Sequence, residues 1–224
     1  SDGDSIVDNL DLCPNLPDGS KVRSLGYLGP FTAAFGQGGT YTHQGDIGSF
    51  LGAGNNGNKI TCERTAGACA GYGQKSGRLT ILDGVGDDAG AKMTGGLIVI
   101  RGDAGIRIGG GMSGGDIIVH GDVGGDPGAG MKGGRIIING RCPTPPPGVI
   151  LRPLSAKEVK EINTLLDDET LHVPGDAVCL THQEGLNVES FGHTVSAGDL
   201  SQVGLLGHKK PHLPRYATVD TVAL

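Results

Sequence analysis

Two consecutive segments decide the fold: residues 102–120, GDAGIRIGGGMSGGDIIVH, and residues 121–139, GDVGGDPGAGMKGGRIIIN. They align without a gap, and their glycines and methionines recur at a constant step of 19 residues, at Gly102, Gly121 and Gly140 and at Met93, Met112 and Met131. Weaker copies precede them, so that six repeats fill residues 26–139 and Gly19-Ser20-KVRSL resembles a fragment of a seventh. A repeat of this length indicates a solenoid in which each unit is one coil.

Each repeat has a glycine-rich half and one short apolar strand such as Leu97–Ile100, and it cannot bury its apolar side chains alone. Coils stacked at the interstrand spacing of about 4.8 Å bury each apolar side chain against its equivalent one coil away. Glycine suits the corners because positive φ or close backbone approach disfavours a Cβ. The sequence therefore predicts an all-β fold, a parallel β-helix of about six 19-residue coils.

Columns of residues 19 apart divide the strand positions into two faces. Two columns are apolar throughout and are predicted to point inward: Ile60, Leu79, Ile98, Ile117 and Ile136, and Cys62, Ile81, Ile100, Val119 and Ile138. The column between them points outward and changes from threonine (Thr42, Thr61, Thr80) to aliphatic (Val99, Ile118, Ile137). Soluble proteins rarely leave such a strip uncovered. We expect the C-terminal segment or a partner subunit to contact Val99, Ile118 and Ile137.

The chain divides into four predicted regions: an N-terminal cap or partial coil (1–25), the β-helix (26–140), a Pro-rich linker (141–154), and a C-terminal α-helix with an extended, partner-docking tail (155–224). Consecutive prolines in RCPTPPPG end the repeat because proline cannot donate a ladder hydrogen bond. A capping-box pattern at Ser155 and Glu158 predicts a helix over about residues 156–166. Its apolar face would pack on the β-helix through Val159, Ile162, Leu165 and Leu166.

Beyond the helix the apolar content is too low for a second core. We expect a strand at 176–180 and a tail that embraces a partner, with Lys209, Lys210 and Arg215 among its contacts. The five cysteines show no paired CxxC spacing, which favours reduced thiols. With no tryptophan and only four phenylalanines and four tyrosines, the core must be built from aliphatic residues.

Charge and hydropathy exclude two classes of function. The net charge of −6 argues against a protein that wraps nucleic acid or binds a membrane surface, since both need cationic patches. The longest apolar run, Leu97–Ile100, is far shorter than the ~20 residues of a membrane helix, and no signal-like segment opens the chain. We therefore expect a cytoplasmic protein.

Three motifs suggest ligands, and each has a structural explanation. The GxGxxG patterns at 109–114 and 128–133 belong to the repeat and precede strands, whereas a dinucleotide site needs a helix there. Asp103 has Gly84 and Thr65 as equivalents, which disfavours a calcium-binding β-roll. Cys179, His182 and His193 lack a fourth ligand at zinc-finger spacing. We expect no cofactor and no metal in this chain.

The sequence also offers no catalytic constellation. His43 and His120 occupy different positions of the 19-residue repeat, so they are not expected to share one site. The sequence also predicts no nucleophile next to a base and to a group that orients that base. A separate enzyme hypothesis would place paired carboxylates on the β-helix wall. The available aspartates lie mostly in corners, where they commonly accept from their own turn amides: Asp87, Asp88, Asp103, Asp116, Asp122 and Asp126.

The repeat units from Gly102 and from Gly121 resemble the GXGXG repeats that one subunit of formylmethanofuran dehydrogenase shares with the C-terminal domain of the glutamate synthase large subunit. The likeness covers about residues 45–140 well and 26–44 weakly. It implies a right-handed β-helix without redox centre or catalytic side chain, which braces neighbouring subunits or domains. Those partners would carry molybdo- or tungstopterin and a dinuclear metal in the first family, and flavin and iron–sulfur clusters in the second.

Two function hypotheses follow from this resemblance. The first is a non-catalytic scaffold subunit of a cytoplasmic, formylmethanofuran dehydrogenase-type enzyme of one-carbon metabolism. The alternative is the β-helical part of a glutamate synthase-like complex. The Met-Ser-Gly-Gly and Met-Lys-Gly-Gly motifs favour the formylmethanofuran dehydrogenase-type hypothesis. The segment after Gly140 departs from the pattern of that family.

Overall fold

The computed structural model describes residues 21–183, which form nine strands, one α-helix and one short 3-10 helix. The strands are β1 (Lys21–Leu25), β2 (Thr40–Gln44), β3 (Asn56–Cys62), β4 (Ser76–Ile81), β5 (Leu97–Ile100), β6 (Ser113–Val119), β7 (Gly133–Ile138), β8 (Val149–Pro153) and β9 (Val178–His182). The helix α1 spans Ala156–Leu165, and the 3-10 helix spans Glu169–Leu171. All nine strands belong to one sheet.

The strands β1 to β7 pair in parallel and in chain order, as a parallel β-helix requires. Their register equals the repeat: Lys21 pairs with Thr40, and Leu97 pairs with Asp116. A second ladder of single bridges keeps the same step on another face, from Leu28–Ile47 to Ala104–Val123. The predicted fold of about six stacked 19-residue coils is confirmed.

Left-handed backbone recurs at several positions of the coil, and glycine does not occupy all of them. One column has positive φ and is glycine in five coils, at Gly52, Gly71, Gly90, Gly109 and Gly128, while its first member is Ala33 with φ 52°. A neighbouring column has φ between 55° and 64° without any glycine, at Phe31, Phe50, Cys69, Asp88, Arg107 and Asp126. A left-handed non-glycine residue costs of order 1–3 kcal/mol. Glycine therefore explains the corners only in part.

The interior is aliphatic in the later coils and more polar in the early ones. Both predicted inward columns are buried and form one core. Near the N-terminal end the interior also contains Tyr41, His43, Asn55 and Gln74, all buried. Met93 occupies the column of Asn55 and Gln74 one coil later and is fully buried. The end of the β-helix at β1 therefore has a different chemistry from its middle.

A two-stranded antiparallel extension closes the C-terminal end. Strand β9 pairs antiparallel with β7, placing Leu180 opposite Ile136, and β8 pairs antiparallel with β9. Val149 and Leu180 join the inner core. The predicted Pro-rich linker 141–154 therefore needs correction, because residues 149–153 are a strand whose partner, β9, comes about 30 residues later along the chain. The strand predicted at 176–180 is confirmed as β9, which lies two residues further along the chain.

The outward aliphatic strip is covered by the chain's own C-terminal segment. Val99, Ile118 and Ile137 form a second core with residues from the segment 154–179, among them Ile162, Leu166, Leu171 and Cys179. Because these three strand residues are at most 1% exposed, they are not available to a partner subunit, and that expectation is corrected. Of the two expected alternatives, the C-terminal segment and not a partner subunit covers the aliphatic strip.

The helix α1 begins as predicted and differs at its end. Ser155 accepts from the Glu158 amide while the Glu158 carboxylate accepts from the Ser155 amide, so the capping box is present. Ile162 and Leu166 are buried, but Leu165 is 54% exposed, so its place on the apolar face was predicted wrongly. Over residues 21–183 no helix has the length and hydropathy to cross a membrane. The residues Lys209, Lys210, Arg215 and His193 lie outside the described residues.

Candidate functional site

An exposed cluster of aromatic side chains occupies one corner of the first three coils. We call it the aromatic corner and define it by Phe31, Phe35, Phe50 and Tyr72. The Phe31 and Phe50 rings are stacked with centroids 4.7 Å apart and planes 5° apart. The Phe50 and Tyr72 rings meet edge to face at 6.1 Å and 69°. Among the described aromatic residues, only Tyr41 is buried in the core.

The coil geometry produces this cluster directly. Phe31 and Phe50 are one repeat apart, so their centroid separation of 4.7 Å matches the strand spacing of the fold. The Phe35 ring lies over Gly54, where an added Cβ would come within 2.6 Å of the ring carbon Cδ1. At Gly73, one further coil along, a Cβ would meet nothing within 4 Å. Glycine in this column thus opens space between the rings.

The rings line an open hollow of about 320 Å³. Its lining is aromatic and glycine-rich, and Lys75 is the one charged residue among the described residues that line it. Phe35 is 63% exposed, Phe31 49% and Tyr72 41%. Within residues 21–183, Lys75 takes part in no ion pair. The corner can therefore bind an apolar group and place one positive charge at its rim.

A polar network fills the interior at the same end of the β-helix. Ser24 Oγ lies 2.8 Å from His43 Nδ1 and 2.7 Å from Tyr41 Oη. His43 Nε2 lies 2.7 Å from the Gly26 carbonyl oxygen, which can only accept. In the neutral ring Nε2 therefore carries the proton, Nδ1 accepts from the Ser24 hydroxyl, and the Tyr41 hydroxyl donates to Ser24.

This proton arrangement has the outline of a nucleophile, a base and a group that orients the base. His43 is fully buried, and burial raises the pKa of Tyr41. These features suit a network that satisfies buried polar groups at the end of the core. The sequence predicted no such grouping, although Ser24 and His43 are one repeat apart and pair in register.

The sequence-predicted ligand residues are dispersed or have protein partners. Cys179 packs in the second core, and strand alternation puts His182 on the other face of β9. Burial raises the pKa of Cys62 and of Cys179 to about 11, so both are thiols at neutral pH. Cys62, Cys69, Cys142 and Cys179 are free. Both GxGxxG segments lead into strands, β6 and β7, which confirms the structural interpretation of these motifs.

The corner aspartates hold successive coils together. Asp103 Oδ1 accepts from the Asp122 amide at 2.7 Å, and Asp122 Oδ1 accepts from the Arg141 amide at 2.8 Å. Asp87 does the same for Ile106 at 3.0 Å. From the sequence, these aspartate carboxylates are expected to accept hydrogen bonds from the amides of their own turns. In the structure the accepting carboxylate and the donating amide are one coil apart, because the stack brings equivalent corners together.

His120 lies beneath the C-terminal segment. Burial lowers the pKa of His120, which favours the neutral ring, and its Nδ1 lies 2.7 Å from Nδ2 of the Asn139 side-chain amide. Asn139 is the equivalent of His120 one coil later. His43 and His120 lie in different environments, as their frame positions predict.

No protein-family model, curated protein or solved structure matches this chain. The fold and the surface therefore define its class: a parallel β-helix with a closed C-terminal end and an exposed aromatic corner near the other end.

Proposed function

We propose that this chain is a non-catalytic scaffold subunit of a cytoplasmic multisubunit redox enzyme of the formylmethanofuran dehydrogenase type. The observation that carries the proposal is the aromatic corner, an exposed apolar surface on a continuous β-helix. Exposed apolar patches of this kind mark interaction sites in soluble proteins. The resemblance of the GXGXG repeats supports the particular class of enzyme.

The architecture suits a bracing role. Each coil is bonded to the next along two ladders, and aspartates add corner contacts between coils. Such a stack presents a long, ordered flank, and in solenoid proteins this kind of extended surface is used for binding. The redox centres of the complex, whether pterin, dinuclear metal, iron–sulfur or flavin, then belong to the partner subunits in this proposal.

The test is to isolate the complex from native extracts through a tag on this chain, and to identify its subunits by mass spectrometry and its cofactors by spectroscopy. Stoichiometric subunits with a pterin and a dinuclear metal are the expected result. Amidotransferase subunits with flavin and iron–sulfur clusters would support the glutamate synthase-like alternative. A chain that elutes alone at its monomer mass under these conditions contradicts the scaffold role.

A further inference from the structure

We infer that the aromatic corner receives an anchor from another subunit: one large apolar or aromatic side chain with a carboxylate beside it. The inference rests on the proposed function, because it assigns the occupant to a partner protein. It adds the chemistry by which that partner is recognised.

The size of the hollow limits its occupant. About 320 Å³ accommodates one large side chain and its neighbours, whereas a whole helix has a diameter of about 10 Å or more. Interfaces of stable complexes commonly contain a few aromatic anchors that fill pockets and dominate the binding energy. The area of a single hollow is far below that of a complete interface, so the anchor belongs to a partner that also contacts the chain elsewhere.

The geometry of the corner does not require aromatic side chains. Phe31, Phe35 and Phe50 all adopt left-handed φ, at 63°, 59° and 64°. Later coils build the same corner with Cys69 and Asp88 in the column of Phe50 and with Gly54 and Gly73 in the column of Phe35. Cys69 and Asp88 adopt the same left-handed φ, at 60° and 59°, so the fold forms this corner without a ring. Phe31 and Phe35 stay largely exposed in this chain, and an apolar group bound in the hollow would bury them.

The positive charge of Lys75 at the rim of the hollow favours an anchor that also carries a carboxylate. Lys75 is exposed and lines the hollow, and none of the described carboxylates lines it. A carboxylate on the incoming segment would therefore meet a lysine that has no competing ion pair within the described residues. The chain as a whole carries a net charge of −6, so a second copy would approach against repulsion, whereas a short acidic anchor meets the local positive charge.

Three small probes test this by NMR titration of the chain of residues 1–224: N-acetyl-L-phenylalaninate, its neutral amide N-acetyl-L-phenylalaninamide, and acetate. We expect the phenylalaninate to bind in the millimolar range, the amide about two- to fivefold more weakly because the exposed ion pair is lost, and acetate not at all. Lys75→Met should make the acid and the amide bind equally.

The double variant Phe31→Asn/Phe35→Asn removes two rings, and asparagine tolerates left-handed φ, so the fold is retained. We expect it to weaken phenylalaninate binding about tenfold, with an unchanged thermal midpoint as the check on folding. Ile106→Asn is the matched control, because Ile106 is 39% exposed and does not line the hollow. It should bind the probe as the unchanged chain does.

Three results would overturn the inference. One is the absence of phenylalaninate binding, and another is equal binding by the double variant. The third is a concentration-dependent dimer that Phe31→Asn abolishes, which would assign the corner to a second copy. If the probes do not bind but the native complex is isolated, the anchor is contradicted and the scaffold role stands. If the probes bind but the chain has no partners in native extracts, only the scaffold role is contradicted.

Discussion

Single residues in this fold are constrained mainly by the coil above and the coil below. Gly102 illustrates the constraint: a Cβ there would lie 2.7 Å from both the Asp83 carbonyl carbon and the Gly84 nitrogen of the preceding coil. At Gly125 a Cβ would meet nothing within 4 Å. Close stacking of backbones, and not only positive φ, therefore explains why glycine recurs with the repeat.

This difference predicts the result of a paired substitution. Gly102→Ala should lower the free energy of unfolding by about 1–3 kcal/mol, because the added methyl group forces adjacent coils apart. Gly125→Ala should change it by no more than about 0.5 kcal/mol. Urea denaturation of the two variants measures both values, and equal losses would contradict the close-approach explanation.

The interior network at Ser24 predicts a second residue effect. Ser24→Ala removes the hydroxyl that bonds both His43 and Tyr41, so it should cost about 1–3 kcal/mol, the usual penalty for leaving buried polar groups unpaired. Ser76→Ala is the control, since the Ser76 hydroxyl contacts only the exposed Asn56 side chain. If calorimetry finds the same midpoint for both variants, the network does not stabilise the end of the core.

At the scale of elements, the strands of the repeat and strand β9 could be predicted from the sequence, whereas strand β8 could not. The 19-residue step places Ile98 beside Ile117 without further information. Strand β8 is a strand because the edge of β9 accepts it, and no pattern within residues 149–153 signals a partner some 30 residues later. The repeat predicts the contact between Phe31 and Phe50, because they share a column. It does not predict the contact of Phe50 with Tyr72, which belongs to another column.

The orientation of α1 gives an element-scale prediction. Ile162 is 1% exposed in the second core and Leu165 is 54% exposed. Ile162→Ala should therefore lower the free energy of unfolding by about 2–5 kcal/mol, and Leu165→Ala by about 0.5 kcal/mol or less. Chemical denaturation distinguishes them, and a larger loss for Leu165 would mean that the helix presents its other face.

The capping box makes the docking of α1 depend on pH. Hydrogen bonds from Arg152 and from Ser155 lower the pKa of Glu158 to about 2, below its unfolded value of about 4.3. The carboxylate's contribution is therefore complete above that unfolded pKa and is lost as the pH falls from about 4 towards 2. Glu158→Gln should remove this part of the acid dependence, measured as the thermal midpoint against pH. A parallel decline in both proteins would assign the loss to other carboxylates.

The whole molecule is a stack whose two ends differ. At one end β9 and β8 close the core, and α1 covers the late coils. At the other end, the only described partner of β1 is β2. Solenoids unfold from their least stabilised repeats, since each coil contacts only its neighbours.

Hydrogen exchange should show this gradient. Amides of β1 and β2 are expected to exchange faster than those of β6, which lies between two strands and beneath the C-terminal segment. Mass spectrometry of peptides after exchange in native buffer measures the order. Uniform protection from β1 to β7 would instead mean that the stack opens as one cooperative unit.

The constant register of the core positions has a geometric consequence for the aromatic corner. Every pairing from β1 to β7 keeps the same 19-residue offset at the core positions, so inserting or deleting one whole repeat would preserve each inward column. Such a change would shift the corner relative to the closed end by about 4.8 Å along the stack. The distance between the aromatic corner and the closed end can therefore grow by duplication of one repeat, or shrink by its deletion, in uniform steps that leave both features intact.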